Sequence, residues 1–292
     1  MDAAIIAQIV VSGSLIGLIY ALIAYGFQLT YATSKSINFG QGELMMVSAL
    51  FSLSLLNWGL TYWLMIPLGM VFGVLLGLFV ERAAVRLALA QNSEGWILMT
   101  IILGLFFFSS AENIWGRDDH PFPSPFASES LSLFGIDITR QEIALAVGVF
   151  AIMGLIELLM RKTLLGKAFA AVAADRDAAQ LMGISARRTI MLSYGLSGLV
   201  AALAGILVAP ITTVGPTMAS ALILKAFSVA VVAGLDSGFG IVVIGMLLGA
   251  VENLASFYIG SGWREVPGLV LLILALALRP TGIFGKTLIR KV

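Results

Sequence analysis

Long apolar runs alternate with short polar segments along this sequence. Runs of about 18 residues or more can cross a hydrocarbon core about 30 Å thick, and they recur without leaving room for a separate soluble domain. The pattern therefore predicts an all-α, polytopic transmembrane helical bundle formed by one domain, residues 1–292. The apolar runs lie at about 4–31, 44–56, 62–80, 96–111, 143–160, 190–214, 219–235, 241–259 and 266–278.

The second apolar run is short for a full crossing. It follows a polar stretch from Ser34 to Glu43 that contains two glycines. Glycine breaks of this kind predict a broken or re-entrant helix. The chain has nine membrane segments if this run spans the membrane and eight if it is re-entrant, and the pattern alone allows both.

The placement of charges predicts an orientation. Residues 116–142 carry five acidic and two basic side chains and predict an irregular exposed loop, whereas residues 161–188 carry six basic and two acidic ones. Because Lys and Arg bias short loops towards the cytoplasm, residues 161–188, the loop near Arg82 and Arg86, and the C-terminal tail are predicted to be cytoplasmic. The N-terminus is then outside. The basic residues of the tail are Arg279, Lys286, Arg290 and Lys291.

Composition narrows the classes of function. The chain is 60% hydrophobic and 11% charged, against about a quarter charged for an average soluble domain. Its net charge of +1 gives no support to a nucleic-acid partner. With no cysteine and one histidine, thiol catalysis and Cys–His zinc sites are excluded. No nucleophile–base constellation is apparent, which argues against an enzyme and for no cofactor on this chain.

Four segments carry a family resemblance. They are GLIYAL at residues 17–22, INFGQGE at residues 37–43, RKTLLGKAFAAVAADRDAAQLMG at residues 161–183, and LKAF at residues 224–227 followed by Gly234. In this order they resemble the LivH/LivM permeases of branched-chain amino acid ABC importers. Gly40 and Gln41 stand where members of that family usually have alanine and histidine, a departure that bears on the solute rather than on the class of transporter.

The resemblance implies a permease in the cell inner membrane. Its expected partners are a second, LivM-like permease subunit, two cytoplasmic ATPase subunits that hold ATP and magnesium, and an extracytoplasmic solute-binding protein. The solute would be a branched-chain amino acid or a related small polar molecule such as urea, a short amide or another amino acid. The alternative is a secondary transporter or channel, for which repeated halves or facing intramembrane carboxylates are expected.

Two groups of polar residues are candidates for the substrate pathway. Asn38, Gln41 and Glu43 cluster beside the predicted helix break, where irregular backbone must either be buried in protein or line a watery cavity. The structural alternative is that Asn38 caps the next helix and Glu43 lies in its first turn. The second group lies inside apolar runs and consists of Lys225, Glu252 and Asn253.

Lys225 and Glu252 would each be costly in the membrane unless paired. Insertion scales assign about 2.5 to 3.5 kcal/mol to a charged residue at the centre of a transmembrane helix. The functional interpretation is a solute-facing or gating pair. The structural one is a buried salt bridge or a lysine that reaches the interface, and the sequence leaves both open.

Residues 161–188 contain a predicted cytoplasmic helix, from about Lys167 to Met182, that ends at Gly183 before Ser185 caps the next helix. The stretch Asp177-Ala178-Ala179, followed by Gly183, partly resembles the Glu-Ala-Ala coupling motif of ABC permeases. The resemblance implies ATPase coupling by a six-residue set: Asp175, Arg176, Asp177, Ala178, Ala179 and Gly183.

Overall fold

The computed structural model describes residues 3–90, 94–126, 130–133, 136–279 and 281–285. This part of the chain is mostly helical. The α-helices are α1 (Ala3–Ser34), α2 (Gln41–Asn57), α3 (Tyr62–Val80), α4 (Arg86–Ala90), α5 (Trp96–Trp115), α6 (Arg140–Lys162), α7 (Leu164–Ala174), α8 (Arg176–Leu181), α9 (Ala186–Thr212), α10 (Met218–Ala233), α11 (Gly238–Tyr258) and α12 (Val266–Leu278). A π-helical turn, Glu81–Val85, joins α3 to α4, and a 3₁₀ turn, Ser261–Trp263, precedes α12.

The predicted apolar runs coincide with helices. Within the described residues, seven helical segments are long and apolar enough to cross a membrane. They are Ile5–Ser34, Tyr62–Leu89, Trp96–Trp115, Arg140–Lys162, Ala186–Thr212, Gly238–Tyr258 and Ser261–Leu278. The helices α2 and α10, with 17 and 16 residues, are shorter than these. A polytopic helical protein is confirmed.

Glycines let two pairs of helices pack backbone against backbone. Gly17 of α1 lies so close to Gly245 of α11 that a Cβ at position 17 would meet the carbonyl oxygen of Gly245. Gly73 of α3 lies in the same way against Gly198 of α9. Such close approaches are typical of small-xxx-small contacts in membranes, where dispersion between helices replaces the hydrophobic effect as the driving force.

The two halves of the chain repeat one packing arrangement. Helix α1 contacts α10 and α11, and its counterpart in the second half, α9, contacts α2 and α3. In the same way, α2 contacts α5, and its counterpart α10 contacts α12. Helices α1 and α9 themselves run antiparallel, because Gly26 lies opposite Ser197 while Thr33 lies opposite Ser193. The halves are therefore related with inverted direction. This repeat leaves little trace in the sequence, because the halves share helix lengths and glycine positions more than residue identities.

The segment 116–142, predicted to be an irregular loop, contains regular secondary structure. It contains a β-hairpin in which β1 (Ser130–Leu133) pairs antiparallel with β2 (Ile136–Thr139). The Gln8 side chain of α1 hydrogen-bonds both backbone groups of Asp137, each at 2.7 Å. Thr139 and Glu142 then form a capping box that starts α6. Two strands of four residues are too short to produce a pattern that distinguishes them from a polar loop.

The bundle has two chemically different ends. The acidic end holds residues 116–126, the hairpin and the start of α1; the basic end holds residues 161–188 and the Glu81–Val85 turn. Helix α6 runs directly from one end to the other, over about 34 Å at 1.5 Å per residue. Glu129 and the tail residues Lys286, Arg290 and Lys291 lie outside the described residues.

Candidate functional site

The predicted helix break forms a buried elbow between α1 and α2. Helix α1 ends at Ser34, Lys35 has a positive φ of 56°, and α2 begins at Gln41. The Oδ1 atom of Asn38 accepts a hydrogen bond from the backbone N–H of Gly40 at 3.1 Å. Because Gly40, not Asn38, is the N-cap of α2, the structural alternative in which Asn38 caps this helix is wrong. Asn38 closes the turn one step earlier.

Gln41 ties the elbow to α9. Its Nε2 donates to the backbone oxygen of Ser197 at 3.1 Å, and its Oε1 accepts from the Ser197 hydroxyl at 2.9 Å. The same hydroxyl lies 2.9 Å from the backbone oxygen of Gly26 in α1. Gln41 is fully buried, and the missing side chain of Gly26 leaves the space that its amide occupies. The network joins α1, α2 and α9, so Gln41 and Asn38 are placed to hold the elbow in shape.

Glu43 has different surroundings. It lies in the first turn of α2, as the structural alternative had it, where the helix dipole favours a carboxylate. Its Oε2 atom is buried but has no hydrogen-bond partner among the described residues. Gly104 of α5 lies beside this oxygen: a Cβ added at Gly104 would lie 3.4 Å from it. Glu43 is the member of the elbow with unused capacity to accept hydrogen bonds.

Lys225 and Glu252, whose pairing the sequence left open, form an ion pair. Lys225 Nζ lies 3.1 Å from Glu252 Oε2, and the Tyr20 hydroxyl donates to the same oxygen at 2.9 Å. The glutamate side chain is 1% exposed and the lysine side chain 12%. Lys225 Nζ also lies 5.5 Å from the centroid of the Tyr20 ring. This cluster links α1, α10 and α11 inside the bundle.

The Lys225–Glu252 cluster also has unused hydrogen-bonding groups. Glu252 Oε1 and Arg264 Nε are both buried without a partner in the described part of the chain. Arg264, just before α12, is close enough to interact electrostatically with Tyr20 and Glu252. Two cations therefore surround one carboxylate. Asn253, the neighbour of Glu252, faces α1 instead, with its Nδ2 3.5 Å from the backbone oxygen of Ile9.

The segment at the basic end consists of two helices, not the single helix predicted from Lys167 to Met182. Asp175 interrupts it with an extended backbone, φ −156° and ψ 115°. Its Oδ1 accepts from the backbone N–H groups of Asp177 and Ala178, each at 2.9 Å, and so caps α8. The sequence offered the signal, because aspartate is a strong N-cap residue, but the helix-forming residues on both sides concealed it.

Gly183 ends α8 as predicted. Its φ is +82°, and the N–H of Ile184 reaches the carbonyl of Ala179 while the N–H of Gly183 reaches that of Gln180, each at 3.0 Å. This pair of bonds is a Schellman motif. Arg176 starts α8, Ala179 is buried beneath it, and the Ser185 hydroxyl then caps α9. The segment also presents exposed apolar side chains: Leu164, Leu181 and Met182 are each more than 80% exposed.

The structure brings Asn38 together with Gln41 and Lys225 together with Glu252, and it adds partners to both pairs. Glu43 and Asn253 lie apart from them. Gln41 gains Ser197, and Lys225 with Glu252 gain Tyr20 and Arg264. Ser197 and Tyr20 lie within apolar helices, where a single hydroxyl-bearing residue does not stand out in the sequence as a member of a site. Among the described residues, no hydrogen bond or ion pair joins the two candidate groups. The elbow lies between α1, α2 and α9, whereas the ion pair lies between α1, α10 and α11.

The sequence matches the family described as "Branched-chain amino acid transport system / permease component" over residues 9–278. That range includes α2 to α12 and most of α1. The chain is 30% identical to the high-affinity branched-chain amino acid transport system permease protein LivH of Escherichia coli (strain K12), covering 96% of each chain. It is 28% identical to the permease protein BraD of Pseudomonas aeruginosa, covering 98% of this chain and 97% of that one.

A relative that matches a shorter part of this chain is named for a different solute. The L-arabinose transport system permease protein AraH of Escherichia coli (strain K12) is 35% identical over 60% of this chain and 53% of its own length. Among solved structures, PsaBC from Streptococcus pneumoniae in complex with Fab aligns with a TM-score of 0.48 and 14% identity, covering 93% of this chain and 92% of that chain.

Proposed function

Because this chain belongs to the family of permease components of branched-chain amino acid transport systems, we propose that it is one of two membrane-spanning subunits of a binding-protein-dependent ABC importer. The solute is a branched-chain amino acid or a related small polar molecule, moved across the inner (plasma) membrane. The family match over residues 9–278 carries this conclusion. The subunit is not an enzyme, and its task is conformational.

The proposed topology has nine crossings with the N-terminus outside and the C-terminus in the cytoplasm. Its support is the direction of α2. Ser36, just before α2, contacts the Tyr194 hydroxyl in α9 at 2.8 Å, in the half of α9 nearer the basic end. Ser54, near the end of α2, accepts from Trp115 Nε1 at 2.7 Å, where α5 reaches the acidic end. A helix that runs from one end to the other favours nine crossings over a re-entrant segment.

The proposed contact with the ATPase is the segment α7–α8. Its support is the combination of exposed apolar side chains with a rigidly stopped helix at the basic end. An exposed apolar surface rimmed by charged residues is typical of a protein–protein contact. In this proposal Asp177 and Ala178 lie on the contacting helix, while Asp175 and Gly183 set its start and its end.

The proposed pathway divides the predicted residues by role. Glu43 contacts the passing solute, because its carboxylate oxygen lacks a partner inside the chain. Asn38 and Gln41 position it. Lys225 and Glu252 act as a gating pair, an ion pair between α10 and α11 whose contact changes during transport. Asn253 adds a contact between α11 and α1.

The proposed complex contains one further, LivM-like permease, two cytoplasmic ATPases and an extracytoplasmic solute-binding protein. ATP and magnesium are held by the ATPases, so this chain needs no cofactor of its own. The relatives named LivH and BraD are described as permease proteins of transport systems, a description that supports a multi-subunit assembly.

Uptake in proteoliposomes separates this proposal from its alternative, a secondary transporter or channel. The complex would be reconstituted with its binding protein outside and ATP inside, and uptake of radiolabelled leucine would be measured. We expect uptake to require ATP and to survive dissipation of proton and sodium gradients by ionophores. Uptake by the permease alone, driven by an ion gradient without ATPase subunits, would contradict the proposal. A screen with urea, acetamide and other amino acids then identifies the preferred solute.

A further inference from the structure

A cleft near the basic end contains none of the candidate pathway residues. It has a volume of about 490 Å³ and lies between α1, α6 and the turn that leads into α11. A second cavity of about 240 Å³ continues from it to α7. Both cavities are lined by Tyr25, Gln28, Glu157 and Arg161. They therefore adjoin at these four residues, and together they form one groove.

The cleft changes from charged to apolar along its length. Arg161, Glu157 and Asp236 line it towards the basic end, while Phe150 and Val242 line it deeper in the bundle. From Arg161 to Phe150, α6 rises about 16 Å at 1.5 Å per residue. That distance is about half of a hydrocarbon core about 30 Å thick. The groove therefore has the depth and polarity of one membrane leaflet.

The charged end of the cleft favours a ligand that carries N–H donors. Gln28 Oε1 is buried and has no hydrogen-bond partner among the described residues. Gly238 brings the start of α11 close to it: a Cβ there would lie 3.3 Å from this oxygen. Glu157 accepts from Arg161 Nε at 2.7 Å, and Asp236 is exposed nearby. With two carboxylates and one guanidinium, the lining has a net charge of −1.

We propose that this cleft binds a phospholipid whose headgroup carries a primary ammonium, the phosphatidylethanolamine class. The ammonium donates to Gln28 Oε1 and to the carboxylates of Glu157 and Asp236, while Arg161 faces the phosphate. The acyl chains lie along Phe150 and Val242. A choline headgroup has no N–H to donate, and an anionic glycerol headgroup is repelled by the net negative lining. The choline headgroup therefore leaves the buried amide oxygen of Gln28 without a donor, and the glycerol headgroup is disfavoured by its charge.

Native mass spectrometry of the detergent-purified full chain tests this proposal. The protein would be titrated with dioleoyl lipids bearing ethanolamine, choline or glycerol headgroups at equal concentration. We expect the ethanolamine lipid to occupy one tight site with about tenfold higher affinity than the choline lipid, the effect of about one charge-assisted hydrogen bond. Equal occupancy by the three lipids would overturn the proposal. So would displacement of the ethanolamine lipid by free leucine, which would identify the cleft as a site for a soluble zwitterion.

Two variants and a matched control locate the site. Gln28→Leu removes an oxygen that has no partner, so the protein should fold normally while the ethanolamine preference is lost. Glu157→Gln should weaken the preference as well. Glu112→Gln is the control, because Glu112 also pairs with an arginine, Arg117 at 3.2 Å, but at the acidic end. Retention of the full ethanolamine preference by both Gln28→Leu and Glu157→Gln would place the lipid elsewhere and refute the assignment.

Discussion

Individual polar residues in this bundle differ in whether their hydrogen bonds are complete. Gln41 bonds twice to Ser197, whereas Glu43 and Glu252 each retain one buried oxygen without a partner among the described residues. Buried groups are normally paired, because an unpaired one costs about 1–3 kcal/mol. Complete pairing therefore indicates that a residue holds the fold, and incomplete pairing indicates a residue that contacts water, solute or a partner in another state.

Replacing Gln41 should destabilise the protein more than replacing Glu43. Gln41→Ala removes the link between α2 and α9, and we expect it to lower the free energy of unfolding by about 1–3 kcal/mol. Glu43→Gln keeps the size and loses no internal hydrogen bond, so its melting temperature should stay near that of the wild type while leucine uptake falls. Both would be measured on the purified complex. Normal uptake by Glu43→Gln would remove Glu43 from the pathway.

The Lys225–Glu252 pair is suited to a double-mutant cycle. Glu252→Gln leaves the lysine charge buried without its counter-ion, and removal of one partner of a buried pair costs about 3–5 kcal/mol. The combined change Lys225→Met with Glu252→Gln should recover most of that stability in thermal unfolding. If the pair gates transport, uptake stays low in the double variant although stability returns. Recovery of both would show that the pair serves only the fold.

At the scale of elements, the sequence predicted the long apolar helices well and the short elements poorly. The run 62–80 and the observed helix Tyr62–Val80 agree in their bounds, because apolar composition alone marks a membrane helix. The helix break at Asp175 and the hairpin at Ser130–Thr139 were missed. Each depends on one hydrogen-bonding residue or a few backbone pairs, and neither changes the composition of its segment.

The same limit applies to the candidate site. The sequence identified the polar elbow and the intramembrane charges, because polar residues stand out in an apolar chain. It did not identify Ser197 or Tyr20 as their partners, since those contacts join residues more than 150 positions apart. The inverted repeat was hidden for a related reason: it is encoded in helix lengths and in glycine contacts such as Gly17 with Gly245.

Gly183 provides a prediction at the element scale. Its φ of +82° disfavours a β-branched residue, and a Cβ there would meet nothing within 4 Å, so backbone strain is the main effect of a substitution. Gly183→Val should strain the end of α8 by about 1–2 kcal/mol and uncouple ATP hydrolysis from uptake. Gly183→Asn is the matched control, because asparagine tolerates this conformation. Full solute-stimulated ATPase activity and uptake in Gly183→Val would exclude α8 as the coupling element.

The whole molecule is a bundle with an acidic end, a basic end and an inverted repeat between them. A repeat of this kind was expected for the secondary-transporter alternative, so the repeat taken alone favours that alternative and the ABC assignment rests on other observations. The family match and the exposed apolar residues of α7–α8 support the ABC assignment. The central structural claim is that the basic end faces the cytoplasm, where the ATPases bind.

Labelling of single cysteines tests that claim most directly, since the chain has no cysteine of its own. Asp118→Cys marks the acidic end, and Met182→Cys marks α8 at the basic end, where the native side chain is 82% exposed. In sealed cells, an impermeant maleimide should label Asp118→Cys and leave Met182→Cys unlabelled until the membrane is permeabilised. Co-expression of the ATPase subunits should then protect Met182→Cys. Labelling of Met182→Cys from outside, or equal labelling of both positions in sealed cells, would contradict the account.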